Sequence, residues 1–413
     1  MQKTRDLNQW LEYLLQLHLK EIDMGLQRVQ AVFERLALNL KPARIVLIGG
    51  TNGKGTSCRL MQQLLTAHGY SVGCYNSPHI KDYRERVTVD GEWLSESRHC
   101  QAFAIVEEAR GETPLTFFEF STLAALVLLA QAKLDFILLE VGLGGRLDAT
   151  NIVDPELSVI TTIALDHQEW LGHSRELIGA EKAGIFRHRG KAVCGDYNPP
   201  ISLSNIAADL ETDIRYQNKD FKISYEPQTD GDECWSWQGH SFWPDLPVPN
   251  MPLQNASTVM AAFEQLNVKL DPTLLKETLH QFTMPGRWQK IASAPDLYLD
   301  VAHNPEAIEY LAKKLAAVNI SGQKIAVVGM LHDKDFKKCL SLLNKVFDVF
   351  YLADIQQPRG AKAKELAQAL PENKIMGQYQ NLTQACQAAK LSAQSQDVIV
   401  ALGSFWVVSE LMS

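Results

Sequence analysis

The chain's 413 residues, 46% of them apolar, suffice for two domains that each bury a core, so a large globular protein is the starting class. Its formal charge of -8 supplies no net basic field for nucleic acid or an anionic membrane, so an anionic substrate has to be gripped by local positive charge and small molecules are the expected partners. Seven cysteines, odd in number and never in CxxC spacing, fit neither a disulfide framework nor a zinc site and agree with a reducing cytoplasm.

The opening residues MQKTRDLNQW lack the apolar stretch of a signal peptide, and the longest apolar run, LAALVLLA at 123–130, is far short of the ~20 residues of a membrane span, so neither export nor anchoring is expected. Helical spacing over 7–19 and 26–38 predicts two opening helices, followed by a short strand at 45–48 that runs into a glycine-rich turn. Strand-like runs at 71–75, 136–141 and 157–163 alternate with helical stretches such as 97–109 and 118–132, the alternation that builds a parallel sheet. Between about 213 and 252 the pattern turns to short extended pieces rich in Trp, Pro and Gly, which read as a β-rich appendage of the first domain. After Met284-Pro285-Gly286-Arg287 the alternation restarts, with strands near 297–301, 324–328, 346–353 and 397–402. The expectation is an α/β protein with a first domain over 1–285 and a smaller α/β domain over 286–413, joined at a Pro-Gly hinge.

Gly49-Gly50-Thr51-Asn52-Gly53-Lys54-Gly55-Thr56, after a strand and before a helix that begins near Lys54, has the layout of a phosphate cradle. Glycines let successive N–H groups turn toward one anion, the helix start adds partial positive charge, and Lys54 supplies a full charge for the outer phosphates. The usual pattern has Ser or Thr directly after the lysine; here Gly55 intervenes before Thr56, and a packing turn that binds nothing is the bland alternative. Ser77, Glu140 and Asp166-His167 each follow or end a predicted strand. Carboxyl ends of strands in an open α/β sheet face a common crevice, so these groups are placed to converge near ATP phosphates and hold magnesium. Taken singly, Ser77 also reads as a turn residue before proline, Glu140 as a solvated strand end and His167 as a loop histidine.

TNGKGT, SPHI, LEVGLGGRLDATN, ALDHQEWLG, EKAGIF, MPGRWQ and DVAHNP, in that order, closely resemble the folylpolyglutamate synthase branch of the Mur ligase superfamily, over nearly the whole chain. IDMGLQRV and LTFFEF look like the bifunctional bacterial enzymes that also make dihydrofolate. The resemblance implies a P-loop NTPase-like central domain with a β-rich appendage, a Rossmann-like second domain, and ATP and Mg2+ as cofactors. By position it implies metal ligation by Ser77, Glu140 and His167, and nucleotide binding by Thr51, Asn52, Gly53, Lys54, Gly55, Thr56, Asn255, Arg287 and Asp300. It implies carbamylation of Lys182, which sequence alone shows as a lysine flanked by Glu181 and reads as a salt-bridged surface lysine. Contacts to the pterin fall on Asp23, Met24, Gly25, Thr116, Phe117, Phe118, Glu119, Leu147, Asp148 and Ala149, although Phe117 and Phe118 also suit plain core packing.

The activity implied is ATP-dependent addition of L-glutamate to 7,8-dihydropteroate and to reduced folates. ATP would phosphorylate the acceptor carboxylate and the amine of glutamate would attack the acyl phosphate, with Asp300 or His303 as candidate bases and Arg287 gripping phosphate as the domains close. Arg287 paired with a carboxylate to fix the linker is the structural alternative. A monomer is expected from the family, and the cytoplasm from the scattered cysteines. The rival readings are a folylpolyglutamate synthase without dihydrofolate synthase activity, a peptidoglycan ligase of the Mur type, and a nucleotide-binding module without turnover.

Overall fold

The structure, a computed structural model, describes residues 5–18, 20, 22–227, 233–318 and 320–412. Residues 1–4 of the opening segment, Leu19 at the end of the first expected helix and 228–232 in the expected appendage lie outside the described residues. The chain divides into two compact units, Met1–Ala164 with Leu171–Phe282, and Leu165–Trp170 with Thr283–Ser413.

In the first unit, β1 (Arg44–Gly49), β2 (Val72–Tyr75), β3 (Val87–Val89), β4 (Glu92–Trp93), β5 (Phe136–Glu140), β6 (Leu157–Ile160), β7 (Lys191–Cys194) and β8 (Asp213–Tyr216) form one sheet. Their order is β4-β3-β2-β5-β1-β6-β7-β8, parallel from β2 to β8 and antiparallel across β2, β3 and β4. β1 lies at the middle and is buried on both faces, as a parallel strand covered by helices must be. Its residues alternate: Ile45 and Leu47 join the core with helices Leu7–Gln16, Glu96–Arg110 and Phe117–Ala130, and Val46 and Ile48 point to the opposite side. The Phe117–Ala130 helix is apolar all round and accordingly buried; Thr116 and Glu119 start it with a reciprocal capping box.

Register decides where the loops meet. Ile48 is level with Glu140 on one side and Val159 on the other, and Tyr75 is level with Leu139. The segments leaving β1, β2, β5 and β6 therefore emerge side by side at one edge.

The second unit holds β12 (Gln289–Ala292), β13 (Asp296–Asp300), β14 (Lys324–Val328), β15 (Val349–Ala353), β16 (Ile375–Tyr379) and β17 (Val398–Leu402), ordered β12-β13-β17-β14-β15-β16 and parallel except for β12. Asp300 and Val328 are both level with Leu402, so the loops after β13, β14 and β17 also leave together.

The α/β expectation holds in both units, with three differences of detail. Only β9 (Lys222–Pro227), β10 (Glu233–Gln238) and β11 (Phe242–Pro247) make the β-rich appendage, an antiparallel three-stranded sheet. Asp213–Tyr216 instead extends the main parallel sheet. Its DIRY sequence reads as polar because Arg215 is buried by pairing with Glu264 at 2.9 Å, not by apolar packing. The two-residue and three-residue hairpin strands β4 and β3, and the half-exposed edge strand β16, are too short or too polar to show an apolar period.

Candidate active site

The loop after β1 is held open by contacts to the loop after β6. Thr51 N–H donates to the Thr162 carbonyl at 2.7 Å, Asn52 N–H to Thr162 Oγ1 at 3.1 Å, and Thr161 Oγ1 donates to the Asn52 carbonyl at 2.6 Å. Gly53 then takes a left-handed φ of 85° as the residue before helix Lys54–Ala67, and among the described residues no side chain caps that helix. Its first N–H groups and the positive end of its dipole are thus free to meet an anion. A Cβ on Gly53 would collide with the Asn255 amide, which is 3% exposed and packs directly over the turn. Lys54 Nζ lies back across the loop, donating to the Gly50 and Thr51 carbonyls at 3.1 and 3.2 Å. This is a cradle with its own cation, and a polyphosphate fits it.

Ser77 and Glu140 are brought together: Ser77 N–H donates to Glu140 Oε2 at 3.0 Å, and Glu140 is buried. Beside them Asn76 Oδ1 is a buried acceptor with no hydrogen-bond partner among the described residues, an oxygen suited to a hard cation or its water. Among the described residues no three His, Cys, Asp or Glu side chains gather as a metal centre. A magnesium ion, which keeps several waters and takes phosphate oxygens, does not demand such a cage.

Lys182 is 3% exposed, so the surface-lysine reading is wrong for it, and the neighbouring Glu181 pairs with Arg146 at 2.7 Å. An ammonium in such a site has to be paired or chemically converted.

Asp23 and Glu119 are tied by a residue the sequence reading did not single out. Arg28 Nη1 meets Asp23 Oδ2 at 2.6 Å and Arg28 Nη2 meets Glu119 Oε1 at 3.0 Å, while Glu119 Oε2 accepts the Thr116 N–H at 2.8 Å. Phe118 is half-buried, its ring 6.1 Å from that of Tyr75 and packed on Gly142; Phe117 lies 6.2 Å from Tyr83. Gly25 has open space around it, and the Met24 methyl reaches Gly144. Asp148 is buried and accepts the Leu143 and Thr150 N–H groups at 2.8 and 3.0 Å; burial pushes its carboxyl up. It braces the loop that carries Leu147 and Ala149.

In the second unit His167 and Asp166 join a buried cluster. Lys334 Nζ sits 2.7 Å from Asp166 Oδ1 and 3.3 Å from His167 Nε2; Asn304 Nδ2 donates to Asp166 Oδ2 at 3.1 Å, and His303 Nε2 stands 3.7 Å from it. Burial alone would raise the Asp166 pKa, but the His303 imidazole and the Lys334 ammonium reverse this and hold it well below the usual carboxylate range. His303 Nδ1 donates to the Val301 carbonyl at 2.8 Å, which leaves Nε2 facing Asp166. Lys334 was missed; the available signal was its place in LHDKD, just after a predicted strand.

Asp300 ends β13 with both oxygens occupied, one by the Trp288 N–H and one by the Ala302 N–H, each at 2.8 Å. Burial pushes its carboxyl up, against the fields of Arg287 and Lys314. The Arg287 guanidinium and the His303 ring flank Phe405, at 5.6 and 6.1 Å from its centroid. Trp288 itself has a φ of 45°, a conformation that costs a bulky residue on the order of 1–3 kcal/mol.

The Mur ligase middle domain model matches residues 48–262 and the Mur ligase glutamate ligase domain model matches residues 286–405. The chain is 43% identical over 412 residues to the dihydrofolate synthase/folylpolyglutamate synthase of Escherichia coli strain K12, covering 100% of this chain and 96% of that protein. A solved structure of E. coli FolC in complex with DHPP and ADP superposes with a TM-score of 0.93 at 42% identity, covering 100% of this chain and 98% of that one. A bifunctional folylpolyglutamate synthase/dihydrofolate synthase with Mn, AMPPNP and L-glutamate bound superposes at 0.92 with 45% identity over the same shares. Two domain models in the order the cradle and the second sheet require, and likeness along the full length, place the chain in the Mur ligase family, on its dihydrofolate synthase/folylpolyglutamate synthase branch.

Proposed function

We propose that this chain is an ATP-dependent ligase that joins L-glutamate to 7,8-dihydropteroate and to reduced folates through an acyl phosphate. The observation that carries the reading is the uncapped helix start at Gly53-Lys54, roofed by Asn255, in a chain whose relatives are solved with ADP, DHPP, AMPPNP and L-glutamate. Residues 1–285 serve as the domain for ATP, magnesium and the pterin, and residues 286–413 contribute side chains for ATP and glutamate.

Thr51, Asn52, Gly53, Gly55 and Thr56 wrap the phosphates, with Asn255 beside them. Lys54 leaves its two carbonyl partners for the outer phosphates, where a full positive charge offsets what builds up during transfer. Ser77, Glu140 and His167 would hold magnesium, which when bound neutralises phosphate oxygens. Arg287 adds a planar donor to the same phosphates. Lys182, carbamylated, supplies a carboxylate-like group to that region. Asp23, Met24, Gly25, Thr116, Phe117, Phe118, Glu119, Leu147, Asp148 and Ala149 surround the pterin, whose flat ring suits the half-buried Phe118. His303 or Asp300 removes the amine proton as the amide forms. His303 is the better placed, because its Nε2 lies 3.7 Å from the Asp166 carboxylate, which can balance the charge of the proton it takes, while both Asp300 oxygens accept backbone N–H groups. The protein works as a cytoplasmic monomer on small molecules. Among the described residues no helix is long and apolar enough to cross a membrane.

The test is ATP-dependent phosphate release with magnesium and L-glutamate, comparing dihydropteroate with a reduced folate. Turnover with both is expected. Turnover with the folate alone makes the chain a folylpolyglutamate synthase only, and turnover with neither sinks the substrate reading.

A further inference from the structure

Three side chains of the second unit form a stack that the roles above leave unused. The indole of Trp288 lies on the phenol of Tyr298 with ring centroids 4.4 Å apart and planes 20° apart. Lys314 Nζ, from helix Pro305–Ala317, stands 5.7 Å over the same indole. Trp288 has a left-handed φ of 45°, which a tryptophan adopts only when its surroundings impose it. Its N–H is fixed by Asp300 Oδ2 at 2.8 Å, and Val301 N–H holds the Gly286 carbonyl at 2.9 Å on the other side of Arg287. Arg287 is therefore pinned at both neighbours, and its guanidinium lies 5.6 Å from the Phe405 centroid, with His303 on the same ring.

We propose that the Trp288–Tyr298 stack, capped by Lys314, is a positioning device that keeps residue 288 left-handed and so aims the Arg287 guanidinium. The inference rests on the reading of Arg287 as a ligand of the ATP phosphates. Stacking gives the tryptophan a packed destination in the left-handed turn, and the ammonium over the ring adds a charge that favours the same placement. Burial holds the Lys314 ammonium down, to about 8, with Asp300 opposing that shift. Trp288, Tyr298 and Lys314 are positioning residues, because they act through Arg287.

The experiment is steady-state kinetics of ligation with the full chain, reading kcat and KM for ATP. The variants are Trp288→Ala, Trp288→Phe, Tyr298→Leu and Arg287→Ala, with the double variant Arg287→Ala/Trp288→Ala. Misplacing a phosphate-gripping group costs about 100-fold. Trp288→Ala is therefore expected to lower kcat/KM for ATP by about 100-fold, Tyr298→Leu by about 10-fold, and Trp288→Phe, which can still stack, by a few-fold at most. On the Arg287→Ala background, Trp288→Ala should cost nothing more, which a general loss of folding would not produce. Wild-type kinetics for both Trp288→Ala and Tyr298→Leu, or losses that add to that of Arg287→Ala, overturn the inference. Wild-type kinetics for Arg287→Ala instead removes the reading of Arg287 itself, and the inference with it. Should Trp288→Ala fail to fold, Tyr298→Leu and its double variant with Arg287→Ala carry the same decision.

Discussion

Gly53 and Trp288 both take a left-handed backbone next to a basic residue, Lys54 in one unit and Arg287 in the other. At Gly53 the conformation is free of strain, and the absent side chain is required twice, by φ and by the Asn255 amide above it. At Trp288 the conformation is unfavourable and is held by an aromatic stack, a carboxylate and a strand register. The difference teaches that one cation is placed by local chemistry that tolerates almost no substitution, and the other by distant contacts that can be loosened by degrees.

The predictions test how far that contrast goes. Asp166→Asn is expected to have the largest effect, about 3 kcal/mol of unfolding free energy measured in urea, because it strips the buried Lys334 of its 2.7 Å partner. A loss below about 0.5 kcal/mol would mean that Lys334 re-pairs or reaches water. Lys54→Ala should lower ATP-dependent ligation about 100- to 1000-fold while changing stability by about 1 kcal/mol or less. Full activity, or unfolding, sinks its phosphate role. Gly53→Ala should cost about 2 kcal/mol or more and raise KM for ATP, since alanine meets both the unfavourable φ and Asn255. If Gly53→Ala is milder than Trp288→Ala in KM for ATP, the contrast between the two turns is the wrong way round. Arg28→Met should raise KM for dihydropteroate about 10-fold and leave KM for ATP alone, because it releases the Asp23 segment from Glu119, with the loss of two partly buried ion pairs. The smallest effect is a slope: the Lys314 pKa is lowered in the folded chain from 10.5 to about 8, so between those values the unfolded chain binds more protons and stability rises with pH. Lys314→Met should remove that rise from urea midpoints measured across the window.

Local strings made much of the first unit readable. The glycine-rich turn marks the end of β1 and the start of a helix at Lys54 because its residues specify their own backbone, and SPH and LEVG mark the ends of β2 and β5 for the same reason. Strand β8 was misread because a single buried ion pair, Arg215 with Glu264, replaces the apolar pattern. Lys182 reads as a solvent-facing helix residue until its neighbours are known, and it is buried.

By itself, then, the sequence determined the α/β class, the phosphate turn and the strand ends that carry Ser77 and Glu140, because each depends on residues within one turn or one period of the chain. Only the tertiary structure decided that Arg28, beside Asp23, meets Glu119 across 91 positions, that Lys334 meets Asp166 across 168, and that a tryptophan is held left-handed beside Arg287. Such pairings depend on strand register and helix packing, which fix distances that no local period encodes.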